Sequence, residues 1–146
     1  MRVLLATDFS SRDRAAEAHA VDLVRSVGGE VVLVHVLSDP PLFGEGIGIV
    51  ETRWIQDARR RTAAEDLEAR AVVLRAAGIR ARWLMRTGEP AAEIVEAAIH
   101  EGSDLVVMST HGRRGLNRLV AGSVAEDVVR HAPCPVFTVR DKPVAA

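Results

Sequence analysis

Ser109, His111, Gly112, Arg113, Gly115, Gly122, Ser123 and Val124 are residue types that, in this order, suit the binding of an anion. They follow Leu105 to Met108, a short apolar run suited to a strand buried on both faces. Gly122-Ser123 then opens an amphipathic stretch with Glu126 three residues after Ser123, the pattern of a helix N-cap and its capping-box partner. A strand, a glycine-punctuated loop and a helix start in succession bring free backbone N–H groups and the positive helix end to one point, where phosphate is favoured. The three glycines let the backbone come close to such a ligand. Arg113, Arg114 and Arg118 lie beside it; solvated surface is the ordinary role for such charges, and their place here offers charge-assisted bonds to phosphate. Ser123 reads as an N-cap whatever else it does, and His111 is a loop histidine with no core to pack in.

Other chemistries lack their residues. A phosphate-binding P-loop needs Gly-Lys-Ser/Thr, whereas Ala121 precedes Gly122-Ser123. Gly44-x-Gly46-x-Gly48 is not the dinucleotide fingerprint and lies in a long loop, where a flap over a crevice is the better expectation. A phospho-receiver would end its third strand in aspartate; Thr87-Gly88 stands there. His19, His35, His100, His111 and His131 have neither a recognisable nucleophile context nor metal-ligand spacing, so no catalytic or metal residue is expected. Cys134, the single cysteine, sits between prolines at a strand start and is expected to pack; it excludes an internal disulfide.

The chain's 146 residues are enough for one domain with a sizeable core, and 48% hydrophobic with 27% charged residues is an ordinary globular balance. A formal net charge of −1 provides no basic field for nucleic acid or an anionic membrane. The N-terminal apolar run is too short for a signal peptide, and no run approaches the roughly 20 residues of a membrane helix. A cytoplasmic protein is expected.

The elements that position these residues alternate. Arg2 to Thr7 reads as a first buried strand, ended by Asp8. Ser10, Ser11 and Asp13 are candidate caps for a helix carrying Ala16, Ala20 and Val24 at helical spacing, stopped by Gly28-Gly29. Glu30 to Val36 is a second strand, Leu37 to Val50 a loop, and Glu51 to about Ala77 a long helix with Leu67, Ala71 and Leu74 on one stripe. Arg59-Arg60-Arg61 reads as its wet face. Ile79 to Arg86 alternates as an edge strand, Ile79, Ala81, Trp83 and Met85 against Arg80, Arg82 and Arg86. Glu89-Pro90 starts a helix that reaches Gly102. Val136 to Arg140 is the last strand, followed by a short tail expected to fray. The sum is βαβαβαβαβ, an α/β doubly wound fold with a parallel sheet. In order 3-2-1-4-5 the switch point falls between strands one and four, so ligands bind beyond Asp8 and Ser109.

Ser109-x-x-Gly112, nine residues, then Gly122-Ser123 resembles the Gly-x-x-Gly-(nine residues)-Gly-Ser/Thr signature of the ATP-binding universal stress proteins. Ala6-Thr7-Asp8-Phe9-Ser10 and His35-Val36 look like that family's first and second strand ends, so the resemblance spans the first strand to Arg140. It implies a five-stranded sheet of that order and ATP as ligand, with Mg or Mn. The base would lie near Ala6, Thr7, Asp8 and Val36. The ribose and first phosphate would lie near Met108, Ser109 and Gly112, and the outer phosphates over Gly122, Ser123 and Val124. Asp8 has two readings, a helix cap or a contact to the nucleoside. The family's first glycine is Ser109 here, which predicts weakened binding rather than its loss.

Two functions follow. The first is a nucleotide-binding regulatory protein of the stress response that acts by binding rather than by fast chemistry. The second is an adaptor of the same fold that binds no ATP, and Ser109 favours it. Either would form a homodimer through the short apolar edge Val136 to Val139, as the resemblance also implies.

Overall fold

The computed structural model describes residues 1–38, 49–110 and 123–140. Its elements run β1 (Arg2–Ala6), α1 (Asp13–Val27), β2 (Glu30–Leu37), α2 (Ile49–Ala76), β3 (Arg80–Thr87), α3 (Pro90–Glu101), β4 (Leu105–Ser109), α4 (Ser123–His131) and β5 (Val136–Val139). The strands form one five-stranded sheet in the order β3-β2-β1-β4-β5, and all four pairings are parallel. The expected α/β architecture and strand order are therefore those observed.

Period-two alternation divides the core between the two faces of the sheet. Val3, Leu5, Val31, Leu33 and Val107 face α1 and α2, where they meet Ala16, Ala20, Leu67, Ala71 and Leu74. Leu4, Ala6, Val32, Val34, Val106 and Met108 face α3 and α4, against Ile94, Ala98, Ala125 and Val128. Coverage on both faces explains why β1, β2 and β4 are almost uniformly apolar. Each fully buried Leu or Val contributes about 1.5–3 kcal/mol. On the outer strand β3, Ala81, Trp83 and Met85 pack toward the α1/α2 face, as does Ile79 just before it, following the expected alternation, and Leu84 packs on the other.

Helix ends follow local chemistry. Glu89 caps α3, its carboxylate accepting from the amides of Ala91 and Ala92 with Pro90 in the first turn. Gly102 ends α3 at φ 57°, a left-handed cap whose amide donates to Ala98 and Ile99 carbonyls. At Gly29 a side chain would place Cβ 1.8 Å from the Met1 carbonyl oxygen, so only glycine fits beside the N-terminus.

Several boundaries differ from expectation. α2 begins at Ile49, within the stretch read as loop. Its 28 residues make it about 42 Å long at 1.5 Å per residue. The eight residues of β2 reach only about 26 Å. α2 therefore overhangs the carboxyl ends of the strands, and residues 53 to 62 are exposed there. With no sheet beneath them they carry no apolar stripe, although they fall within the helix expected from Glu51 onward. The candidate caps of α1 also differ: Arg12 occupies the cap position and gives no side-chain capping bond, while Asp13 turns inward. Gly44, Gly46 and Gly48, read as a flap, and the tail expected to fray lie outside the described residues.

Candidate functional site

A cleft of about 890 Å³ opens at the carboxyl ends of β1, β2 and β4, under the overhang of α2. Ala6, Thr7, Asp8, Val36, Met108, Ser109, Ser123 and Val124, all singled out in the sequence, line it together. His111, Gly112, Arg113, Gly115 and Gly122 lie outside the described residues. A smaller depression of about 460 Å³ lies at the opposite end of the sheet among Arg75, Arg80 and Arg82, away from the switch point.

The turn after β1 forms the floor of the cleft and is held from several directions. The Phe9 amide donates to Thr7 Oγ1 at 3.0 Å, and the Ser10 amide donates to Asp8 Oδ1 at 2.8 Å. Asp8 thus closes its own turn rather than capping α1. Phe9 sits at φ 64°, a left-handed conformation costing a bulky residue about 1–3 kcal/mol. Its ring is clasped between His35, centroids 4.4 Å apart, and the Arg70 guanidinium at 5.5 Å. His35 Nδ1 lies 2.8 Å from the Thr7 carbonyl. A carbonyl only accepts, so Nδ1 carries the proton in this contact.

Beneath this turn lies Asp13, a residue whose sequence context suggested only a helix cap. It is 2% exposed. Its Oδ2 accepts from Thr7 Oγ1 at 2.6 Å and from the Asp8 amide at 2.8 Å, and its Oδ1 accepts from Ser109 Oγ at 3.0 Å. One carboxylate therefore ties together the ends of β1 and β4 and the start of α1. Burial pushes the Asp13 carboxyl above the ordinary aspartate range and the nearby Asp8 charge adds to this, while the bonds from Thr7, the Asp8 amide and Ser109 oppose it.

The far end of the cleft is the start of α4, where Ser123, Val124 and Ala125 line the wall. The first amides of a nine-residue helix have no partner within it, and the dipole makes this end positive. α2 supplies the outer wall through Trp54, Ile55, Ala58, Arg59, Thr62 and Asp66. Arg59 was read as wet surface; it is exposed but borders the cleft. Trp54, 77% exposed, offers an aromatic face there. The only sequence signal for this wall was two large apolar residues outside the core stripe. Cys134 packs part-buried beside the second core, and burial raises its thiol pKa.

The Universal stress protein family model matches residues 1–140. The chain belongs to the universal stress protein family. A universal stress protein of Thermus aquaticus is 34% identical over 140 residues, 94% of this chain and 97% of the relative. A solved universal stress protein of Methanocaldococcus jannaschii superimposes with a TM-score of 0.83 at 28% identity, covering 97% of this chain and 96% of that one. The universal stress protein from Archaeoglobus fulgidus solved in complex with dAMP has a TM-score of 0.69 at 24% identity, covering 94% and 96%. At that identity the likeness to the dAMP-bound protein is one of fold.

Proposed function

We propose that this universal stress protein binds an adenine nucleotide, ATP with a divalent cation in the first instance, in the cleft between β1 and β4. The observation that carries the reading is the convergence on one cleft of the β1 end, the β2 end and the α4 N-terminus. A base fits against the groups near Ala6, Thr7, Asp8 and Val36, with the sugar toward Met108 and Ser109. Phosphates fit at the start of α4, where backbone donors and the dipole favour negative charge. The dAMP bound to a protein of the same family supports adenine as the base.

Binding rather than turnover is the proposed activity. Asp13 is occupied by three hydrogen bonds, which leaves it poorly placed as a general base. Nucleotide occupancy would act through conformation or partner choice in a stress response within the cytoplasm. Among the described residues no helix is long and apolar enough to cross a membrane. The bond from the Ser109 hydroxyl to Asp13 supports the nucleotide reading over the adaptor, because it gives that side chain a partner within the protein.

A homodimer through β5 belongs to the same proposal. The Val106 amide donates to the Pro135 carbonyl and the Thr110 amide to the Val139 carbonyl. Residues 135, 137 and 139 therefore serve β4, and the N–H and C=O groups of Val136 and Thr138 point away from it. Val139, 6% exposed, belongs to the core, so a charge there would unfold the chain and is no probe of the edge.

Mass spectrometry of the purified, undialysed protein tests the ligand. Co-purified adenine nucleotide is expected; its absence, together with no binding at millimolar ATP, would return the case to the adaptor.

A further inference from the structure

We infer that Asp13 is a positioning residue for the nucleotide cleft, holding the Ser109 side chain out of the ligand's path and fixing the turn that receives the base. The inference rests on the nucleotide reading above and deepens it. Ser109 stands where the family signature has its first glycine, at the end of β4 on the cleft wall. The Ser109 side chain is turned down toward the Asp13 carboxylate, to which its hydroxyl donates. The downward direction requires a buried hydrogen-bond acceptor, because a hydroxyl buried without a partner is costly.

Asp13 is that acceptor. It enters from the first turn of α1, 96 residues away in sequence, and places Oδ1 3.0 Å from Ser109 Oγ. Its other oxygen takes the Thr7 hydroxyl and the Asp8 amide. The same carboxylate thus sets the ends of both strands that flank the switch point. Asp13 itself is 2% exposed, so it acts on a ligand through Ser109, Thr7 and Asp8 rather than by contact. The group costs stability where it sits, as its raised pKa reflects. A buried carboxylate at the base of a cleft, with each oxygen engaged, fits a role in shaping that cleft.

A two-by-two set of variants tests this: the parent, Asp13→Ala, Ser109→Gly and the pair combined, each titrated with ATP and Mg in a calorimeter after its fold is verified. Losing a charge-assisted hydrogen bond corresponds to a change of about tenfold or more. Asp13→Ala should therefore weaken binding by about tenfold in the Ser109 background. With Ser109→Gly there is no side chain to release, and Asp13→Ala should cost clearly less. Asp13→Asn, which keeps an oxygen and adds a donor, should recover part of the loss. Equal losses in both backgrounds would show that Asp13 does not act through Ser109 and overturn the inference.

A second measurement needs no ligand. The Asp13 carboxyl 13C shift, followed against pH, should show a pKa that rises further in Ser109→Gly, because the serine bond lowers it. An unchanged titration would show that the Ser109–Asp13 bond does not form, and the inference falls whatever the protein binds. A parent that binds no adenine nucleotide while this shift is present would instead overturn the function proposed above, and with it the role assigned to Asp13 in ligand positioning.

Discussion

Leu67→Ala tests how the overhanging helix is held. Leu67 is fully buried in the core beneath α2, with Leu74 and Ala71 on the same stripe. Truncation removes its burial and leaves a cavity, together about 2–5 kcal/mol. That is a large share of the roughly 5–15 kcal/mol by which domains are stable. At this chain length each kcal/mol lowers the melting temperature by about 2–4 °C, so a fall of roughly 4–20 °C is expected. Val73 lies on the same helix but is 64% exposed, and Val73→Ala should stay within about 0.5 kcal/mol. Urea unfolding followed by circular dichroism measures both. If Leu67→Ala and Val73→Ala lost equal stability, α2 would not pack on the sheet by this face and would not form the cleft's outer wall.

Three further outcomes are expected. Glu30 and Glu101 titrate below the ordinary glutamate range, chiefly through hydrogen bonds from Arg2 and Arg82 respectively. A depressed carboxylate adds stability above its unfolded pKa and loses it as pH falls through the folded value. The stability gap between the parent and Arg82→Gln should thus be widest near neutrality and close in acid, and a gap independent of pH would contradict the network. Burial raises the Cys134 thiol, so iodoacetamide should alkylate the folded protein more slowly than a free cysteine at pH 8; an equal rate would mean the site is open. Thr138→Pro removes an N–H on the side of β5 away from β4. Sedimentation should therefore show a dimeric parent and a monomeric, folded variant; a parent that sediments as monomer rejects the dimer.

Much of the fold was legible because burial on both faces writes itself into β1, β2 and β4 as unbroken apolar runs, and because Leu67, Ala71 and Leu74 repeat at the helical period. The cleft was legible for a different reason: parallel order puts Asp8 and Ser109 at the switch point, whatever their types. What escaped was long-range or unpatterned. An aspartate in the first turn of a helix ordinarily serves the dipole, so nothing near Asp13 in sequence announced a bond to Ser109. Ser109 was consequently read only as a side chain that weakens binding, without the bond its hydroxyl makes to Asp13. Residues 53 to 62 have no sheet beneath them and so no stripe to betray the wall they build.

Nucleotide binding at the α4 end of the cleft is the central claim, and a calorimetric titration with ATP and Mg against the parent and Ser123→Glu tests it most directly. Ser123 opens α4, is exposed and lines the cleft. A glutamate at a helix start is favourable to the helix, so the variant should fold as the parent does, while its carboxylate repels phosphate from the same amides. Binding by the parent and its loss, or a fall of at least about tenfold, in Ser123→Glu is the predicted result. Equal binding by both proteins would contradict the placement of the phosphates, and no binding by either would contradict the function.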